Sequence, residues 1–182
     1  MLRRSINNFL KRKEGKVLPV YSEVLEDQEI LNFVRGKYTN VLVVGCGSCM
    51  NESLSYLHNT PIFIKEGNDD IPYSVHNEAE RLTTMFNAEG INSTYIIIPK
   101  GKNARCMINL DEDIYQLSMD SHPDVILAMC CPSGVHGLVS SSNGVKIIKI
   151  TKQCGFLAYS YRINNEGTHY IVKEKSSISR LK

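Results

Sequence analysis

Four apolar runs recur along the chain, at residues 41–44, 94–98, 125–129 and 146–151, too far apart in sequence to be joined as tight hairpins. Each is rich in Val, Ile and Leu, the composition of strands covered on both faces in a parallel sheet. Helical periods lie between them. Val75, Ala79, Leu82 and Phe86 fall at i, i+4, i+7 and i+11, and Gly90 supplies a stop, so a helix is predicted over 75–89. Residues 22–35 predict another: Ser22 suits an N-cap, acids fill the early turns, and Val24, Ile30, Leu31 and Val34 form the apolar face. Shorter helices are expected over 51–58, 111–119 and 134–140, a strand over 62–65, and a loop over 66–73. The stretches 156–162 and 169–172 flank Asn164-Asn165-Glu166-Gly167 and predict an antiparallel hairpin. Strands alternating with helices make this an α/β fold. The expected architecture is a three-layer Rossmann/flavodoxin-like parallel sheet with the C-terminal hairpin as its antiparallel edge.

A chain of 182 residues is long enough for one well-buried core. The expected organisation is a basic N-terminal segment (1–20), a single α/β cysteine-cluster domain (21–172) and a flexible tail (173–182). The first 16 residues hold six Lys or Arg against one Glu, with Leu2, Ile6, Phe9 and Leu10 as a narrow apolar stripe. That pattern reads either as a solvated surface helix or as a docking element for a larger partner. A net charge of +2 over the whole chain makes no electrostatic case for nucleic acid. No apolar run approaches the roughly 20 residues that span a bilayer. The N-terminus lacks the apolar stretch of a secretory signal, so a cytoplasmic location is expected, where thiols stay reduced.

In that setting the cysteines carry the chemistry. Cys46 and Cys49 follow the first apolar run in Gly45-Cys46-Gly47-Ser48-Cys49, Cys106 follows a basic loop after the second, and Cys130-Cys131 end the third. The carboxyl ends of parallel strands share one edge of the sheet, where ligands bind. Cys46, Cys49, Cys106 and Cys131 are therefore the candidate metal ligands. Successive side chains on an extended strand point apart, so only one of Cys130 and Cys131 belongs to the set. Cys154 reads as a small core residue. None of the five histidines shows metal-ligand spacing, and Ser140–Ser142 lack a partnered His and Asp.

Three chemistries fit Cys-x-x-Cys at a strand-to-helix turn: a redox dithiol, a zinc site, or a 4Fe–4S cluster. One local pair plus two distant cysteines suits the cluster, with Gly45 and Gly47 letting backbone amides approach it. A fourth reading takes Gly45-x-Gly47 as the start of a dinucleotide fingerprint. Glu66 then stands 19 positions past Gly47 as the ribose acid, although Met50 replaces the third glycine.

The motifs 41–49, Ala104-Arg105-Cys106 and Ala128-Met129-Cys130-Cys131-Pro132-Ser133-Gly134-Val135 together resemble a family. It is the small iron–sulfur or zinc-finger-like subunit, or C-terminal domain, that accompanies methylenetetrahydrofolate reductase of acetogens. The resemblance covers about 41–151, and the family's second, C-terminal cysteine-rich centre is missing. It implies one cluster on Cys46, Cys49, Cys106 and Cys131. It also implies a non-catalytic electron-transfer subunit of an oxidoreductase complex in one-carbon metabolism, partnered by a larger flavoprotein. A Rossmann-like nucleotide-binding module and a structural zinc domain remain the alternatives.

Overall fold

The computed structural model describes residues 18–98, 122–142 and 144–181. The chain runs β1 (Val20–Val24), α1 (Asp27–Val34), β2 (Asn40–Cys46), α2 (Cys49–His58), β3 (Phe63–Glu66), β4 (Asp69–Pro72), α3 (Tyr73–Ala88) and β5 (Asn92–Ile98). It continues with β6 (Val125–Met129), α4 (Pro132–Ser141), β7 (Lys146–Lys149), β8 (Thr151–Ile163) and β9 (His169–Arg180). The predicted helix at 111–119, the basic loop at 100–105, Cys106 and residues 1–17 lie outside the described residues.

The four apolar runs form one parallel sheet in the order β5-β2-β6-β7. β2 and β6 are central, and both are buried along nearly their whole length. This is why their sequences read as continuous rather than alternating apolar runs. α3 packs on β2 and β5 through Val75, Ala79, Leu82 and Phe86, as its period predicts.

A second, antiparallel sheet has the order β1-β8-β9-β3-β4, and it revises several expectations. Ser22 and Val24 belong to strand β1 rather than a helix, because β1 pairs with β8 over Val20↔Phe156 to Val24↔Thr151. Long-range pairing overrides the local helical signal there, and the helix starts only at Asp27. The expected loop at 66–73 is half a hairpin: β4 returns on β3 from Glu66↔Asp69, with Gly67 at φ +61° in the turn. The expected flexible tail is strand as far as Arg180, paired with β8 through Gly155↔Arg180. The β8–β9 hairpin is thus the centre of its own sheet and not an edge of the parallel one.

The two sheets meet where the chain passes from β7 to β8. Ile150 donates its N–H to Ala128 O of the parallel sheet at 3.1 Å, and its carbonyl accepts from Leu25 N at 3.0 Å beside β1. Next to it, Thr151 Oγ1 donates to Cys130 O at 2.7 Å. α2 lies between the sheets, against β1 on one side and β2 on the other. One core fills the space around the parallel sheet. A smaller one, of Tyr21, Ile62, Phe63, Leu157, Tyr159 and Ile171, lies under the antiparallel sheet.

Candidate functional site

The carboxyl ends of β2 and β6 lead into two helix N-termini. Cys46 is the last residue of β2 and Cys49 the first of α2, while Cys131 is the N-cap of α4, with Pro132 at the first helical position. Proline there loses no hydrogen bond and its fixed φ starts the helix. Cys46, Cys49, Cys130 and Cys131 are all buried. These four cysteines thus stand at or just beyond the carboxyl ends of β2 and β6.

The neighbouring Cys49 side chain, with backbone N–H groups of Gly134 and Ser133 in the first turn of α4, pulls the Cys131 thiol down from 9.0 to about 6 against the opposing effect of burial. A helix N-terminus stabilises negative charge, so Cys131 favours the thiolate. Cys130 behaves in the opposite way. Fully buried, with Cys46 and Cys131 near, its thiol is pushed well up, and its Sγ lies 3.7 Å from Val44 O. Cys130 is packed core, while Cys131 caps the first turn of α4.

Cys154 occupies a bulge in β8, between the pairs Ser22↔Gln153 and Tyr21↔Gly155, and packs against the smaller core. It stands in the antiparallel sheet, on a different strand from the other cysteines. His136 is exposed on α4.

The two glycines have structural duties. A Cβ on Gly45 would come within 2.7 Å of Ile97 Cδ1 and 2.9 Å of Val75 Cγ2. Gly45 thus admits α3 against the sheet, rather than leaving a space for a ligand. Gly47 donates its N–H to Ile98 O at 2.8 Å. Glu66 stands at the tip of the β3–β4 hairpin in the antiparallel sheet. In a dinucleotide fold the ribose acid ends a strand beside the first one, and the neighbours of β2 are β5 and β6. Gly45, Gly47 and Glu66 therefore do not assemble as the fingerprint requires.

The sequence reading missed a buried polar set on α2. Glu52, one turn past Cys49, is 1% exposed and accepts a 2.8 Å hydrogen bond from Tyr159 Oη, itself 3% exposed. Burial first, then the charge and hydrogen bond of Glu52, raise the Tyr159 hydroxyl, and the Cys49 sulfur adds to the same effect. Asn51 donates Nδ2 to Ile62 O at 2.7 Å and accepts from Val75 N at 3.0 Å. Ser53 Oγ accepts from Ser22 N at 3.1 Å and bonds Cys49 O at 2.8 Å. These contacts tie the first turn of α2 to β1, β3, α3 and β8, which holds the Cys49 backbone in place. The available signal was three successive polar residues, Asn51-Glu52-Ser53, in a short helix between apolar elements.

Among the described residues no three His, Cys, Asp or Glu side chains form a group able to hold a metal ion. The described sulfur donors at this edge are the buried side chains of Cys46, Cys49, Cys130 and Cys131. Its chemistry, buried sulfur with a stabilised thiolate, suits a soft metal or an iron–sulfur cluster. A cleft of about 450 Å³ between α1, α2 and α3 lies apart from it, floored by Leu54 and Leu57 and rimmed by Asp27, Glu78 and Arg81. No helix among the described residues is long and apolar enough to cross a membrane. Compared with known proteins, the chain matches no family, no curated protein and no solved structure.

Proposed function

We propose that this chain is an accessory, electron-transferring subunit of a redox complex and holds a 4Fe–4S cluster at the carboxyl edge of its parallel sheet. The observation that carries the reading is the burial of Cys46, Cys49 and Cys131 where β2 and β6 end and α2 and α4 begin. A thiolate at neutral pH is the form that binds iron or zinc, and it is stabilised here at a strand end. Cys46, Cys49 and Cys131 are the described members of the ligand set, and Cys106 completes it. The cluster, when bound, supplies one-electron exchange. The protein's own part is to bury the sulfurs, to supply N–H groups to their negative charge, and to fix Cys49 through Asn51 and Ser53.

The reading includes a larger flavoprotein partner and a reducing, cytoplasmic setting, in which cysteines are kept from oxidation to disulfides. It also includes a three-layer, Rossmann-like arrangement around the β5-β2-β6-β7 sheet. The basic segment 1–20 is the docking element of this proposal.

Anaerobic purification with iron and acid-labile sulfide assays tests it. About equal iron and sulfide, lost in C49S and C131S but retained in C154S, is the expected result. Zinc without sulfide after anaerobic isolation moves the function to a structural metal domain. Neither iron nor zinc, with nucleotide-induced thermal stabilisation of a colourless protein, returns it to a nucleotide-binding module.

A further inference from the structure

We propose that the outer face of the antiparallel sheet is the docking site of the chain's own residues 1–16, with Leu2, Ile6, Phe9 and Leu10 against the sheet and the basic side chains outward. The inference rests on the pattern of that segment and on the surface of the sheet, and it holds whether or not the cluster reading does. One face of the sheet is covered: Leu157 and Tyr159 of β8 are buried in the smaller core, and Tyr159 bonds Glu52 of α2. Alternation along β8 therefore turns Phe156, Ala158 and Ser160 to the other face. Residues directly opposite in paired strands share a face. Val20 and Ser179 flank Phe156, and Ser177 stands opposite Ala158, so they belong to this outer face too. Of the six large apolar side chains exposed among the described residues, three stand at one corner of it: Leu18 (66%), Phe156 (42%) and Leu181 (54%). Leu157 N donates to Pro19 O and Leu181 N to Cys154 O, both at 3.0 Å, which sets the three on neighbouring stretches of chain.

The position and pattern of the N-terminal segment single it out as the occupant. Residues 1–17 lead directly into Leu18, at the exposed corner. That tether makes docking intramolecular and favours it over a second copy of the chain. Leu2, Ile6, Phe9 and Leu10 recur at i, i+4, i+7 and i+8, one helical face, and Gly15 supplies a stop at which the chain can reverse. Read as a helix, residues 2–13 measure about 18 Å, and β8 from Phe156 to Arg162 runs about 20 Å. Length and polarity both match. Ala158, Ser160 and Ser177 are small, which leaves room for Phe9 and Leu10 between the exposed corner and Arg162. The six Lys and Arg of the segment then face solvent, where the proposed partner meets them.

The test uses the full chain without partner, with Phe9 replaced by the photo-cross-linking residue p-benzoylphenylalanine. A mixture of ordinary and isotopically heavy chains is irradiated, and mass spectrometry identifies the linked peptides. The expected product joins position 9 to peptides covering 156–160 or 177–181 of the same chain. Ala158→Arg, which puts a long side chain on the outer face, removes most of it. Trypsin gives a second readout: the wild type is cut within 1–16 roughly tenfold more slowly than I6E, because a docked segment must open before cleavage. I6E leaves the sheet untouched, so this comparison stands even if A158R fails to fold. Links between ordinary and heavy chains place a second copy on the face and overturn the inference. Links to the cleft between α1, α2 and α3, no link at all, or equal cutting of wild type and I6E overturn it too. Iron and sulfide content, measured separately on the anaerobic protein, decides the cluster reading independently.

Discussion

Replacing Gly45 by Ala separates a packing role from a ligand-binding one. The new Cβ would stand 2.7 Å from Ile97 Cδ1, 2.9 Å from Val75 Cγ2 and 3.3 Å from Met129 Cε. Comfortable carbon–carbon contact is about 3.5–4.0 Å, so three neighbours must retreat. All three atoms are ends of flexible side chains, which places the cost within the usual overpacking range of about 1–3 kcal/mol. Alanine recovers roughly 0.5–1 kcal/mol of the backbone entropy that glycine loses in a strand. The net expectation is a loss of about 1–2 kcal/mol, or roughly 2–8 °C in Tm for a chain of this size. Urea unfolding followed by circular dichroism measures it. Val75→Ala removes the closest α3 atom, so G45A should cost much less in that background, with a coupling of about 0.5–1.5 kcal/mol. If G45A instead leaves stability unchanged but loses bound iron, or if the V75A background gives no relief, the packing argument is wrong.

Tyr159→Phe removes the hydroxyl that hydrogen-bonds the buried Glu52 carboxylate, and should cost about 1.5–3 kcal/mol in the urea midpoint. The Cys131 thiol is depressed from 9.0 to about 6. Its thiolate therefore adds stability above pH 9 that is lost as pH falls through 6, and C49S should flatten this slope in the reduced, metal-free protein. Tyr21 is pushed up to about 12 by burial and then by Glu23, and Tyr159 is raised as well. The Tyr21 contribution is complete below pH 10 and is lost as pH rises from 10 through 12, visible as tyrosinate absorbance appearing together with unfolding. Asp27 and Arg81 pair at 2.7 Å with side chains about half exposed, so Asp27→Ala should cost less than about 1 kcal/mol.

The parallel sheet and α3 were legible in the sequence because their determinants are local and redundant. β6 was bounded correctly from Val125 to Met129, because a strand buried at every position must be apolar throughout; β5, an edge strand with the polar start Asn92-Ser93, was bounded within two residues from its apolar end. The period of Val75, Ala79, Leu82 and Phe86 specified α3 in the same way. The gathering of cysteines at one sheet edge followed from parallel strands sharing a carboxyl end. The antiparallel sheet was not legible. β1 has the acids of a helix start and becomes a strand only through pairing with β8, some 130 residues away in sequence. The charged segment 173–180 reads as a tail until β8 supplies its hydrogen-bond partners. The Glu52–Tyr159 bond was likewise decided by tertiary contact, across 107 positions. Residue type and spacing determine which elements form and which edge carries the sulfur. Only the packing of α2 between two sheets determines which buried polar side chains meet, because side-chain pairing depends on distances that no local pattern encodes.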